Sequence, residues 1–149
     1  MAALSGNRRP PNILSFTEDF KTGVVVNIPV GALEEIYVGS FTSLDAGDFY
    51  LAPLAAGEAF AGLSEERVTG TASNGGITCQ VRTGAIMEHL VGSVAVANIG
   101  DTVYASDDQT LTLVATSNSS VGRVLNVPAA GTAVVQCKMT GETLVQGAV

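Results

Sequence analysis

The chain is divided into short apolar runs rich in valine, isoleucine and threonine, each closed by a residue that favours turns. The run VVVNIPV at residues 24–30 ends at Gly31, and the run FYLA at residues 49–52 ends at Pro53. In ITCQV, at residues 77–81, apolar and polar side chains alternate with the period of two of a half-buried strand. Turn signals return roughly every ten to fifteen residues, and the helical signal is weak throughout. The pattern predicts an all-β domain, folded as a small β-barrel or a sandwich.

The beginning of the chain differs from the remainder. Pro10 and Pro11 favour an extended conformation and cannot nucleate a helix, and the residues that follow them have no clean period. We therefore predict an extended, partner-binding arm over residues 1–22 and a β-rich body over residues 23–149. Within the body, TSLDAG at residues 42–47 is predicted to form a turn.

The charge of the chain limits its partners. Seven Lys and Arg stand against fourteen Asp and Glu, which gives a net charge of −7. An acidic surface repels phosphate backbones, so we expect no direct nucleic-acid binding. No run approaches the roughly 20 apolar residues that span a bilayer, and the first residues do not resemble a signal peptide. We expect synthesis in the cytoplasm and no membrane partner.

Few residues are candidates for chemistry. His89 is the single histidine, which excludes a site built from several histidines, and no G-x-S-x-G motif supplies a nucleophile for it. A hydrolase that uses His89, Asp107 and Asp108 is the weakest of the alternatives. ASDDQT lacks the spaced oxygen ligands of a calcium loop, so we predict that the two aspartates form a turn. Cys79 and Cys137 are predicted to be buried free thiols. We expect no catalytic residue, metal or cofactor.

Several segments, taken in order, resemble a known family. GDTVYASDDQTLTL, then VGRVLNV, then AVVQCKM resemble the C-terminal half of tailed-phage head decoration proteins, also called capsid cement proteins. In that family a G-x-x-V-Y strand and an acidic turn precede a V-G-x-V strand, and a last strand closes a small β-domain. Upstream, AFAGLSEERV and ITCQVRTGAIMEHLV are similar to two further strands of the family. The resemblance covers roughly residues 59–139, and its weight lies in the order and spacing of the segments.

The resemblance implies a non-enzymatic virion structural protein. Such proteins form barrel or tulip-like oligomers, commonly trimers, on the outside of the capsid, so we expect a homotrimer or a dimer bound to the major capsid protein. The bacterial host would synthesise the chain, and its final location would be the capsid exterior. The arm residues Arg8, Arg9, Phe16 and Phe20 are the candidates for capsid contact.

One alternative comes from the class of binding modules. A lectin-like or adhesin β-barrel could bind glycans or a cell surface through an exposed polar loop such as residues 69–76.

Overall fold

The computed structural model describes residues 3–8, 10–14, 22–140 and 142 of the chain. The described residues form antiparallel β-sheets and one short 3₁₀ turn, Val96–Asn98. The predicted all-β class is therefore confirmed.

Apart from the twelfth, which has 11 residues, the strands are short, as the spacing of the turn signals predicts. In chain order they are β1 (Asn12–Ile13), β2 (Val24–Pro29), β3 (Glu35–Ile36), β4 (Phe41–Leu44), β5 (Leu51–Pro53), β6 (Ala59–Ser64), β7 (Val68–Thr69), β8 (Thr78–Thr83), β9 (Ile86–Leu90), β10 (Thr102–Ala105), β11 (Leu111–Thr112), β12 (Ser119–Ala129) and β13 (Thr132–Cys137). 

Two large sheets and one small sheet contain these strands. The larger sheet has the order β1-β9-β13-β12-β10-β11, the second has the order β2-β8-β6-β4-β5, and β3 pairs with β7. Both large sheets curl until their ends approach. An isolated bridge joins Val91 to Leu111 in the first sheet, and another joins Val30 to Leu51 in the second. Neither sheet closes into a full barrel within the described residues.

Strand β6 lies between two hydrophobic cores and is buried on both faces. Phe60 and Leu63 belong to the first core, and Ala61 belongs to the second. The first core is filled mainly from the larger sheet, by residues that include Met87, Val103, Val121, Val124 and Val135. The second core is filled by Val30, Ile36, Leu51, Val68, Cys79 and Val81. A strand with a core on each side has no polar face, so the sequence of β6 does not alternate.

Two details of the sequence prediction are wrong. Residues 42–44 were expected in a turn, but they form strand β4, and only residues 46–48 turn. Thr42 and Ser43 are fully buried, and their hydroxyls donate to Gly62 O at 2.9 Å and to Glu58 Oε2 at 3.0 Å. Because tertiary partners satisfy these hydroxyls, polar residues can occupy an interior strand here. Ile77 also differs from its prediction, since it precedes β8 and is 40% exposed.

Candidate functional site

The described part of the arm lies against the body of the same chain. Strand β1 pairs with β9, with Asn12 opposite Glu88 and Ile13 opposite Met87. Leu14 N donates to Ile86 O at 2.8 Å, and the hydroxyl of Thr22 donates to Leu14 O at 2.7 Å. The arm therefore extends the larger sheet by one edge strand, through backbone hydrogen bonds of the kind used in β-strand addition.

Arg8 anchors the preceding residues of the arm. Its guanidinium carbon lies 5.1 Å from the centroid of the Phe41 ring, within the range of a cation–π contact. Nε donates to Gly39 O at 2.8 Å, and Nη1 lies 3.2 Å from His89 Nε2. Nη2 is buried and has no hydrogen-bond partner. Burial lowers the pKa of Arg8, and the nearby carboxylates of Asp108 and Asp107 oppose that shift.

His89 accepts the hydrogen bond from Arg8. Its Nδ1 lies 2.7 Å from Leu90 O, and because a carbonyl oxygen can only accept, Nδ1 must carry a proton. Arg8 can only donate, so Nε2 must supply a lone pair. The network thus selects the neutral Nδ1–H tautomer. Burial lowers the pKa of His89, the bond to Leu90 O raises it, and the charge of Arg8 lowers it further.

Asp108 completes this arm–body cluster of Arg8, Ser40, Phe41, His89 and Asp108. The residue is only 3% exposed. Its Oδ1 accepts from Leu4 N at 2.9 Å, and its Oδ2 accepts from the hydroxyl of Ser40 at 3.3 Å. Its backbone oxygen accepts from Phe41 N at 2.8 Å. Burial raises the pKa of Asp108, and the bonds from Leu4 and Ser40 oppose the rise. Asp108 thereby links the β10–β11 connection to the arm and to the start of β4.

The predicted turn is present, but its two aspartates differ. Residues 106–110 connect β10 to β11, and Asp107 Oδ1 accepts from Gln109 N at 3.0 Å, as expected of a turn former. Asp108 instead holds an arm residue 104 positions away in sequence. The sequence missed this second role, and the acidic pair itself carries no signal for it.

A pocket of about 570 Å³ opens beside the cluster, between the edges of β9 and β11. Its walls include Arg8, Pro11, Leu90 and Thr110. Both ring nitrogens of His89 are occupied by groups of the protein itself, so the imidazole in this arrangement has no lone pair to offer as a general base. The cluster is therefore suited to holding the arm on the body.

The remaining predicted residues have mixed outcomes. Arg8 lies in the arm–body cluster, whereas Arg9, Phe16 and Phe20 lie outside the described residues. Cys79 and Cys137 are both free and buried, as predicted.

No group of three or more His, Cys, Asp and Glu side chains in the described part of the chain could hold a metal ion. Nor does any helix formed by the described residues have the length and apolar character to cross a membrane.

No family model and no curated protein matches this chain.

Proposed function

We propose that this protein is a capsid cement protein, a non-enzymatic structural component of a phage virion. In this role it binds the outer surface of the assembled shell as a homo-oligomer, for which we favour a trimer, and bridges neighbouring subunits of the major capsid protein. A ligand that binds only the assembled shell stabilises that shell by mass action. A symmetric oligomer multiplies weak contacts through effective concentration.

The observation that carries the proposal is the exposed apolar surface. Four large apolar side chains are two-thirds or more exposed: Leu33 at 74%, Phe49 at 73%, Val96 at 68% and Leu90 at 66%. Charged residues make up only 14% of the chain. Exposed apolar side chains on a chain with few charged residues are typical of a protein that covers much of its surface in an assembly.

Two further features support the same function. The segments that carry the family resemblance are neighbours in space, since β12 pairs with β10 and with β13, and β10 pairs with β11. The arm has the extended form that adds a strand to a sheet edge, here the edge of its own body, and segments of this form also bind partners through backbone hydrogen bonds.

The test is co-sedimentation with shells assembled from the major capsid protein of the same phage. We expect the full chain to sediment with such shells and a variant lacking residues 1–20 to remain folded and oligomeric but stay in the supernatant. Circular dichroism and molar mass in solution verify the fold and assembly of the truncated protein. If the full chain does not sediment with shells, the proposed function is wrong. If the truncation binds as well as the full chain, the arm takes no part in capsid binding.

A further inference from the structure

Leu33 occupies a backbone position that normally suits glycine. Glu34 N donates to Gly31 O at 3.2 Å and closes a four-residue turn in which Leu33 is third. Leu33 has a φ of 61°, in the left-handed region that a bulky side chain rarely adopts. The turn therefore carries local strain, and its leucine side chain is 74% exposed.

Phe49 repeats the same arrangement in the connection between β4 and β5. Phe49 N donates to Asp45 O at 2.8 Å, and Asp45 N donates to Tyr50 O at 2.9 Å. Phe49 has a φ of 63° and is 73% exposed. In loops of this kind the left-handed residue is usually glycine or asparagine. Here a phenylalanine projects from the end of the hairpin.

Hydrogen bonds hold the two turns together. Asn74 bridges them: its Oδ1 accepts from Ala32 N at 2.8 Å, and its Nδ2 donates to Asp48 Oδ2 at 3.3 Å. Gly31 N also donates to Leu51 O at 2.9 Å. We call the pair Leu33 and Phe49 the apolar tip. Strand β4 runs from Phe41, in the arm–body cluster, to Leu44, beside the second turn, so the tip and the cluster lie at opposite ends of that strand.

Other left-handed positions in the described residues show that the tip is unusual. The two remaining non-glycine residues with positive φ there are Ser93 and Ser117, at 61° and 63°. Small polar residues place no large apolar surface in water. The strain and the exposed apolar area at Leu33 and Phe49 are costs to the isolated fold, and strained positions of this kind cluster at functional sites.

Carboxylates surround the tip. Asp45 accepts from Gly47 N at 2.7 Å and Asp48 from Tyr50 N at 3.0 Å, and Glu58 accepts from Ser43. All these donors are neutral, so the negative charge is not compensated by them. Burial raises the pKa of Glu34, and the charges of Asp45, Asp48 and Glu58 raise it further.

We propose that the apolar tip is the surface that docks on the shell, with Leu33 and Phe49 inserted into an apolar depression bordered by lysine or arginine residues of the major capsid protein. This inference rests on the proposed function and gives that function a second contact besides the arm. Two buried apolar anchors supply most of the affinity of such a contact. The carboxylates around the tip favour a partner surface with a basic border and accelerate association with it.

The test compares shell binding by three full-length variants. Leu33→Gly with Phe49→Gly removes both side chains and relaxes both turns. Leu33→Asn with Phe49→Asn introduces polar side chains that tolerate positive φ. Ser93→Gly with Ser117→Gly is the matched control, because it makes the same kind of backbone change without removing apolar surface. We expect both tip variants to fold with unchanged or higher thermal midpoints and to bind shells about a hundredfold more weakly, at about tenfold for each anchor. The serine control should bind like the wild type.

The outcomes separate the two proposals. If the wild type does not bind shells, the proposed function fails. If the wild type binds and the tip variants bind equally well, the proposed function stands and the tip is not the docking surface. A salt titration adds an independent result: binding of the wild type should weaken as salt rises, and Asp45→Asn with Asp48→Asn should reduce that dependence. Equal salt dependence in both proteins would contradict the basic border.

Discussion

Acidification is predicted to release the arm from the body, because the contact between Arg8 and His89 requires a neutral imidazole. Protonation of Nε2 would place an N–H against the guanidinium Nη1, 3.2 Å away. Arg8 would lose an acceptor and gain a like-charged neighbour. Its remaining hydrogen-bond partner in the cluster would be Gly39 O, since Nη2 already has none.

The cost to arm docking follows from the lost hydrogen bond and the new repulsion between like charges. A hydrogen bond to a neutral partner contributes about 0.5–1.5 kcal/mol. Two like charges at this separation near a protein surface repel by about 1–4 kcal/mol, and partial exposure favours the lower end. A total near 2 kcal/mol lowers the docking constant of the arm by about tenfold or more.

The direction and the pH window follow from the pKa of His89. Burial lowers that pKa below its ordinary value of about 6.5. This contribution to docking is therefore fully present when the pH is above the ordinary pKa of histidine, and it is lost as the pH falls through the lowered pKa of His89 in the docked state. Asp108 acts in the opposite sense, because burial raises its pKa and protonation there favours the docked state. Glu88 precedes His89 on β9, and the charge of Asp107 acts on Arg8, so these carboxylates also influence the titration of the cluster.

The assay is nuclear magnetic resonance on the full chain, whose single histidine gives one imidazole signal. The amide of Leu4, which is bonded to Asp108, reports whether the arm is docked. We expect the Leu4 signal to move toward its unbound position over the pH range in which His89 titrates. In His89→Gln, whose side chain is neutral at every pH and can still accept from Arg8, the arm should stay docked over that range.

Two controls test the reasoning. Arg8→Gln should raise the pKa of His89, whereas Arg67→Gln, which removes an exposed arginine paired with Glu35, should leave it unchanged. The reasoning is refuted if the Leu4 amide stays bonded while His89 titrates, or if His89→Gln releases the arm at the same pH as the wild type.

Two further predictions concern the interior of the fold. A Cβ at Gly62 would lie 2.5 Å from Arg82 O and 2.6 Å from Val81 Cγ1. Gly62→Ala should therefore lower the free energy of unfolding by about 1–3 kcal/mol, measured as a lower urea midpoint. An unchanged midpoint would contradict this close approach of β6 and β8. Burial raises the pKa of Cys137 to about 12 and also raises that of Cys79. Iodoacetamide at pH 8 should therefore label neither thiol before the protein is denatured. Rapid labelling of the native protein, detected by mass, would show that the thiols are accessible.

Local signals in the sequence determined the β class and several of the strands. Strand β13 alternates between buried Ala133, Val135 and Cys137 and less buried neighbours, and this period of two is a property of the strand itself. The turn at Asp107 was likewise predictable, because an aspartate side chain bonds to a backbone amide two residues later. Pro10 and Pro11 predict an extended arm in the same local way.

The tertiary structure alone decided where the polar residues of the interior belong. Thr42 and Ser43 have the composition of a turn, but distant acceptors allow them to lie in a buried strand. The arm–body cluster brings Arg8 to His89 across 81 positions and Leu4 to Asp108 across 104. No local period encodes such contacts, because each depends on where the sheets place residues that are remote in the chain.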